Sequence, residues 1–93
     1  MLVINEYFEG KVKSIGFQSE NGSVSSGVMA VGEYTFSTSQ HELMKVIHGE
    51  LLAKLPDSDQ FKAYPAGTEF EVPANSSFEL QVATPTAYLC YYS

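Results

Sequence analysis

Turn-forming residues interrupt this chain so often that it leaves no convincing helix. Asn21-Gly22, Gly32, Gly49, Pro56-Asp57-Ser58-Asp59, Pro65-Ala66-Gly67, Pro73 and Pro85 punctuate runs of β-branched, aromatic and aliphatic residues. Such runs, short and bounded by Gly, Pro, Asn and Asp, are the signature of strands. About ten of them in one small chain is the count of a barrel or sandwich. The expected fold is therefore all-β, one domain spanning residues 1–93. In detail, Phe8 to Phe17 reads as one strand bent at Gly10 and Gly16, since glycine inside a strand marks a bulge or corner. Gln18 to Ser26 reads as a hairpin turning at Asn21-Gly22, and strands follow over Gly27–Val31, Gly32–Thr38, Phe61–Tyr64 and Thr86–Tyr92. Two more apolar runs meet at His48-Gly49-Glu50, with Met44, Val46 and Leu51 to Leu55 as core.

Length and charge narrow the possible partners. A chain of 93 residues buries a modest share of its surface, so self-association, in the simplest case a homodimer, is the expected way to enlarge the core. With 44% hydrophobic and 17% charged residues it is globular, and no apolar run reaches the length of a membrane span. Met1 to Gly10 carries Glu6 and Glu9 and no basic segment, so it does not read as a signal peptide. One cysteine, Cys90, has no partner for an internal disulfide, which fits a reducing cytoplasm. The net charge is −6 and all five basic residues are lysines. Nucleic-acid polymers are excluded as partners by that balance, whereas one small phosphate is not, because a lysine with a few hydroxyls and N–H groups suffices.

Gly32 to Thr38 alternates aromatic and hydroxyl side chains. On a strand, Tyr34, Phe36 and Thr38 share one face and Glu33, Thr35 and Ser37 the other. An inward aromatic face offers stacking; an inward hydroxyl face offers hydrogen bonds to phosphate or ribose. Both remain open, beside the plain alternative that the rings are only core. Lys11, Lys13 and Ile15 likewise share a face opposite Val12 and Ser14, either as a half-exposed strand or as an anion site at its end. Phe78, Leu80 and Val82 form one apolar face, and Tyr88, Tyr91 and Tyr92 surround Cys90. His41 and His48 stand near turns, where surface histidines are commoner than metal ligands.

The spacing of several of these residues resembles the cupin family of small jelly-roll β-barrels. Gly67 and Pro73 fall where the second cupin motif has its first glycine and its proline, while Asn75 and Phe78 replace its second glycine and its metal-binding histidine. Glu42 and Gly49 match the end of the first motif, but the paired histidines that should precede Glu42 are absent, with Phe36 and Thr38, or Thr35 and Ser37, in their places. The resemblance implies a cupin-like barrel without its metal chelate. Glu42 is then an inward carboxylate able to bind a hydroxyl or shuttle a proton, or else a solvated turn residue.

Three longer strings, Asn5 to Phe17, Gly32 to Thr38 and Pro85 to Cys90, resemble the bacterial pyrimidine/purine nucleoside phosphorylase family over essentially the whole length. That resemblance implies phosphorolysis of nucleosides to a free base and ribose 1-phosphate, across purines and pyrimidines, with no metal or other cofactor. Cleaving an N-glycosidic bond needs a held phosphate and a group that stabilises the leaving base. The candidates are Lys11 or Lys13 with Thr35 and Ser37 for phosphate, Tyr34, Phe36, Phe78 and Tyr88 for base and ribose, and Glu42 as the catalytic group. Two other readings compete: a metal-dependent cupin enzyme, and a non-catalytic module that holds a sugar or nucleoside.

Overall fold

The computed structural model describes all residues from Met1 to Ser93. It contains ten strands and no helix: β1 (Val3–Tyr7), β2 (Val12–Ser19), β3 (Gly22–Met29), β4 (Gly32–Ser37), β5 (Glu42–His48), β6 (Glu50–Lys54), β7 (Lys62–Pro65), β8 (Glu69–Val72), β9 (Ser77–Val82) and β10 (Thr86–Tyr92). They form a six-stranded sheet, in the order β1-β2-β3-β10-β5-β8, and a four-stranded sheet, β4-β9-β6-β7. The expected jelly-roll barrel is thus a sandwich of two sheets packed face to face.

Period-two alternation decides what lies between the sheets. Phe78, Leu80 and Val82 of β9 are buried, as are Met44 and Val46 of β5, Phe70 and Val72 of β8, and Leu51 and Ala53 of β6. The question left open on β4 is answered the same way: Tyr34 is buried and Phe36 half-buried, while Glu33, Thr35 and Ser37 are exposed. The aromatic face is inward. Phe36 lies opposite Phe78 in the β4–β9 register, and the rings stack at 5.8 Å.

The N-terminal segment differs from the single bent strand expected over Phe8 to Phe17. Val3–Tyr7 forms an edge strand on β2, with Ile4 opposite Ile15 and Tyr7 opposite Val12. Phe8 to Lys11 is a tight turn, closed by hydrogen bonds from Gly10 N to Tyr7 O at 3.1 Å and from Lys11 N to Phe8 O at 3.2 Å. Phe8 and Glu9 take left-handed φ of 53° and 60°, and Gly10 follows at 87°. Gly10 therefore reverses the chain instead of bulging a strand. The Asn21-Gly22 turn falls where expected, and β3 then runs unbroken from Gly22 through Gly27 to Met29.

Candidate functional site

One cavity of about 160 Å³ opens between the sheets near the end of β4. It is lined by Tyr88, Cys90 and Tyr92 of β10, Glu42 and Met44 of β5, Phe36 and Ser37 at the end of β4, and Phe78 of β9. Ser14 of β2, Met29 of β3 and Tyr7 of β1 complete its wall. The central strand β10 supplies three of these because every second residue from Thr86 to Tyr92 faces inward.

Glu42 is the only charged side chain on the cavity wall. It begins β5 opposite Tyr92, and its Oε1 accepts a hydrogen bond from Cys90 Sγ at 3.5 Å. Burial pushes the Glu42 carboxyl above its usual range, opposed by the thiol hydrogen bond and by the neighbouring His41. The tyrosines around it are held firmly neutral: burial pushes Tyr88 up to about 12, and Tyr92, whose hydroxyl shares a 3.0 Å hydrogen bond with Ser25 Oγ, is also raised by burial. Cys90, 2% exposed, is raised first by burial and then by the Glu42 charge, so its thiol is a weak donor and not a nucleophile. Chemically the site is a small apolar chamber with one carboxyl poised toward its protonated form and several hydroxyl groups.

The structure gathers Glu42, Phe36, Ser37, Phe78 and Tyr88 from the residues expected at the site. It does not bring the others to the cavity. Lys13 points outward, because the alternation that turns Val12 and Ser14 inward turns it away, and its Nζ pairs with Glu6 at 3.3 Å. Lys11 borders a separate shallow depression beside Phe8, Glu33 and Tyr34. Thr35 is exposed opposite Glu79, on the outer face of β4. Tyr34 is core: it is 3% exposed and its hydroxyl donates to Ala30 O at 2.6 Å. Ser14, Met29, Cys90 and Tyr92 were not singled out as site residues. Their facing depends on which strands become neighbours, and only the inward alternation of Thr86–Tyr92 could have pointed to two of them.

The donor set does not fit a cupin metal. Phe36, Glu42 and Phe78 do converge on one cavity, but two of the three are phenyl rings. Thr38 is spent on structure, its Oγ1 donating to Pro73 O at 2.7 Å. His41 binds Glu71 Oε1 at 2.8 Å and Ser93 Oγ at 3.0 Å on the surface. No three His, Cys, Asp or Glu side chains come together anywhere in the chain.

Fold and cavity together define a cupin-like protein in which an aromatic pair stands where the chelate would be. A solved RmlC-like cupin from Shewanella frigidimarina superimposes with a TM-score of 0.75 at 18% identity, over 99% of this chain and 83% of that one, which supports the fold. The chain belongs to the pyrimidine/purine nucleoside phosphorylase family, whose model matches residues 2–92. The pyrimidine/purine nucleoside phosphorylase of Rhodopirellula baltica is 56% identical over 90 residues, covering 97% of this chain and 98% of that relative. A crystal structure of a protein of unknown function from Vibrio parahaemolyticus matches with a TM-score of 0.96 and 47% identity, over 100% of this chain and 99% of the other.

Proposed function

We propose that this protein is a broad-specificity nucleoside phosphorylase: it transfers the ribosyl group of purine and pyrimidine nucleosides from the base to inorganic phosphate. The observation that carries the reading is a desolvated Glu42 carboxyl inside a ring-lined cavity, in a chain of this family. A phosphate oxygen attacks C1′ and forms the new C–O bond while the C1′–N bond breaks and its electron pair leaves with the base. Positive charge builds on the sugar and negative charge on the base nitrogen. A protonated Glu42 donates its proton, or a strong hydrogen bond, to that base, and the ionised form left behind sits near the cationic sugar. Burial raises the share of protonated carboxyl at neutral pH, which is the state this step consumes.

The Phe36–Phe78 pair holds the base by its face. Every base has a π face, so stacking tolerates purines and pyrimidines alike, whereas edge hydrogen bonds would discriminate. Phosphate sits at the mouth, beside the exposed Ser37. Lys11 and Lys13 then contribute only a screened field.

Two wider features belong to the same reading. Ile4, Ile15, Val28 and Ile47 are 44–75% exposed on the outer face of the six-stranded sheet, an apolar patch of the kind that pairs two copies; a homodimer would sediment at twice the chain mass. No helix is long and apolar enough to cross a membrane. The cytoplasm suits an enzyme that draws on free phosphate and keeps Cys90 reduced.

The test is base release from uridine and adenosine, with and without phosphate. Phosphate-dependent release of both bases is expected, and Glu42→Gln should lower kcat by about 10²–10⁴-fold. Equal release without phosphate would identify a hydrolase, and nucleoside binding without release would identify a binding module.

A further inference from the structure

The cavity matches one ring more closely than two. An apolar cavity of ~150 Å³ holds a benzene molecule, and this one measures about 160 Å³. Pockets that enclose a whole drug-sized ligand are typically about 300–1,000 Å³. A pyrimidine ring therefore fits as the protein stands, with the ribose left at the mouth. The fused rings of a purine need more room.

Most of the wall cannot give way. Tyr88 lies on β10, which is hydrogen-bonded to β3 and β5, and Phe78 lies on β9, hydrogen-bonded to β4 and β6. Met29 is 1% exposed and locked into the β3 register with β2 and β10. The exception is the seam between β1 and β4, the two facing sheet edges. No backbone hydrogen bond joins them. The seam is closed by side chains alone: Tyr7 meets Phe36 edge-on at 6.1 Å, and Phe8 meets Phe36 at 5.3 Å and Tyr34 at 5.0 Å. Tyr7 and Phe8 are 43% and 41% exposed, so they can swing outward into solvent without opening the core. The turn that carries them runs through two left-handed non-glycine residues and then Gly10. The far end of that turn is tied to the β3–β4 connection by Ala30 N donating to Lys11 O at 2.8 Å, so the seam opens by a swing of the two side chains and not of the whole turn.

We infer that Tyr7 sets the size of base this protein accepts: single-ring bases enter the cavity as it is, and two-ring bases enter only when Tyr7 and Phe8 lift off β4. The inference rests on the phosphorylase reading for its substrates but makes a separate prediction. Tyr7→Ala should raise the ratio of kcat/KM for adenosine over uridine by about 10-fold or more, the scale on which apolar pockets sense small changes of volume. Tyr7→Trp should lower the same ratio. The chain has no tryptophan, so Tyr7→Trp also places a single fluorophore at the mouth, and the Kd values of free adenine and free uracil can be read from its quenching. Calorimetry supplies the same two constants for the wild type and Tyr7→Ala. A Kd ratio that follows the kcat/KM ratio supports the assignment; adenine and uracil shifting by equal factors overturns it. If the wild type releases no base at all but the Kd ratio still moves with residue 7, the phosphorylase reading fails and the size-setting role of Tyr7 stands. Should Tyr7→Ala not fold, Tyr7→Trp carries the test alone, since a larger ring preserves the aromatic contact with Phe36.

Discussion

The two sheets meet along two seams, and the seams are built from different materials. On one side, around Gly49 and Gly67, backbone hydrogen bonds cross between the strand ends: Gly67 N to Val46 O at 2.8 Å, Val46 N to Thr68 O at 3.0 Å and Ala66 N to Gly49 O at 3.0 Å. On the other side, β1 and β4 face each other with only Tyr7 and Phe8 against Phe36 and Tyr34. A hydrogen bond fixes distance and angle, while an aromatic contact worth about 0.5–1.5 kcal/mol tolerates sliding. The stitched seam fixes the fold. The aromatic seam borders the cavity, and it is where the molecule can afford to move.

Breaking the stitched seam should have the largest effect. Gly49 has φ of 90°, and a Cβ there would stand 2.5 Å from Thr86 Oγ1 and 2.9 Å from Pro85 O. Gly49→Ala adds left-handed strain to a clash with backbone, so a loss of about 3–5 kcal/mol is expected in denaturant unfolding. Gly67 is the control: its φ is 91°, but no atom lies within 4 Å of the added carbon. Gly67→Ala should lose only the backbone term, about 1–2 kcal/mol. Equal losses at the two sites would show that close packing at this corner is not what holds it.

Disturbing the aromatic seam should be milder for stability and plainer for binding. Phe36 touches Tyr7, Phe8, Tyr34 and Phe78 but is only half-buried. Phe36→Ala should cost about 2 kcal/mol of stability, less than a fully buried phenylalanine. It should also weaken uracil and adenine binding by similar factors, because stacking does not read base edges. A loss confined to one base class, measured by calorimetry, would mean that Phe36 recognises an edge, and the seam would be a selective wall instead of a general platform.

The difference between the seams also explains what was legible in the sequence. Gly49 and Pro65-Ala66-Gly67 are punctuation, and punctuation is local, so the breaks between β5 and β6 and between β7 and β8 were legible. Glu42, Phe36 and Phe78 were placed by motif spacing, and the alternation of Phe78, Leu80 and Val82 gave the inward face of β9 directly. The edge strand β1 was missed because Val3 and Ile4 are both exposed, at 52% and 75%, so no alternation marks it as a strand. Tyr7 went unnoticed for the same reason. Its place at the cavity depends on β1 pairing with β2 and on the edge of the opposite sheet lying across from it, neither of which is written in adjacent residues. The lysines lie away from the cavity for other reasons: Lys11 falls in the turn before β2, and for Lys13 the strand's sequence gives two faces, while only the packing of the second sheet says which one meets the cavity.

The smallest effect expected on stability concerns Glu42, whose strand lies between β10 and β8 and whose side chain lines the cavity. Its folded-state pKa is raised, chiefly by burial. A raised carboxyl pKa means that the folded state binds the proton more tightly than the unfolded chain. The stability this contributes is complete below the unfolded value near 4.5 and is lost as pH rises through the higher folded value. In its ionised form Glu42 is therefore a burden on the fold. Glu42→Gln removes the burden, so its melting temperature at pH 7 should match or exceed that of the wild type, with the difference shrinking toward pH 4. The titratable groups facing this carboxyl, Tyr88, Cys90 and Tyr92 on β10, Tyr7 on β1 and the neighbouring His41 held by Glu71, are unchanged in the variant. A melting temperature that falls at neutral pH would show that the Cys90 hydrogen bond outweighs desolvation, and that Glu42 braces the cavity wall instead of storing a proton for the leaving base.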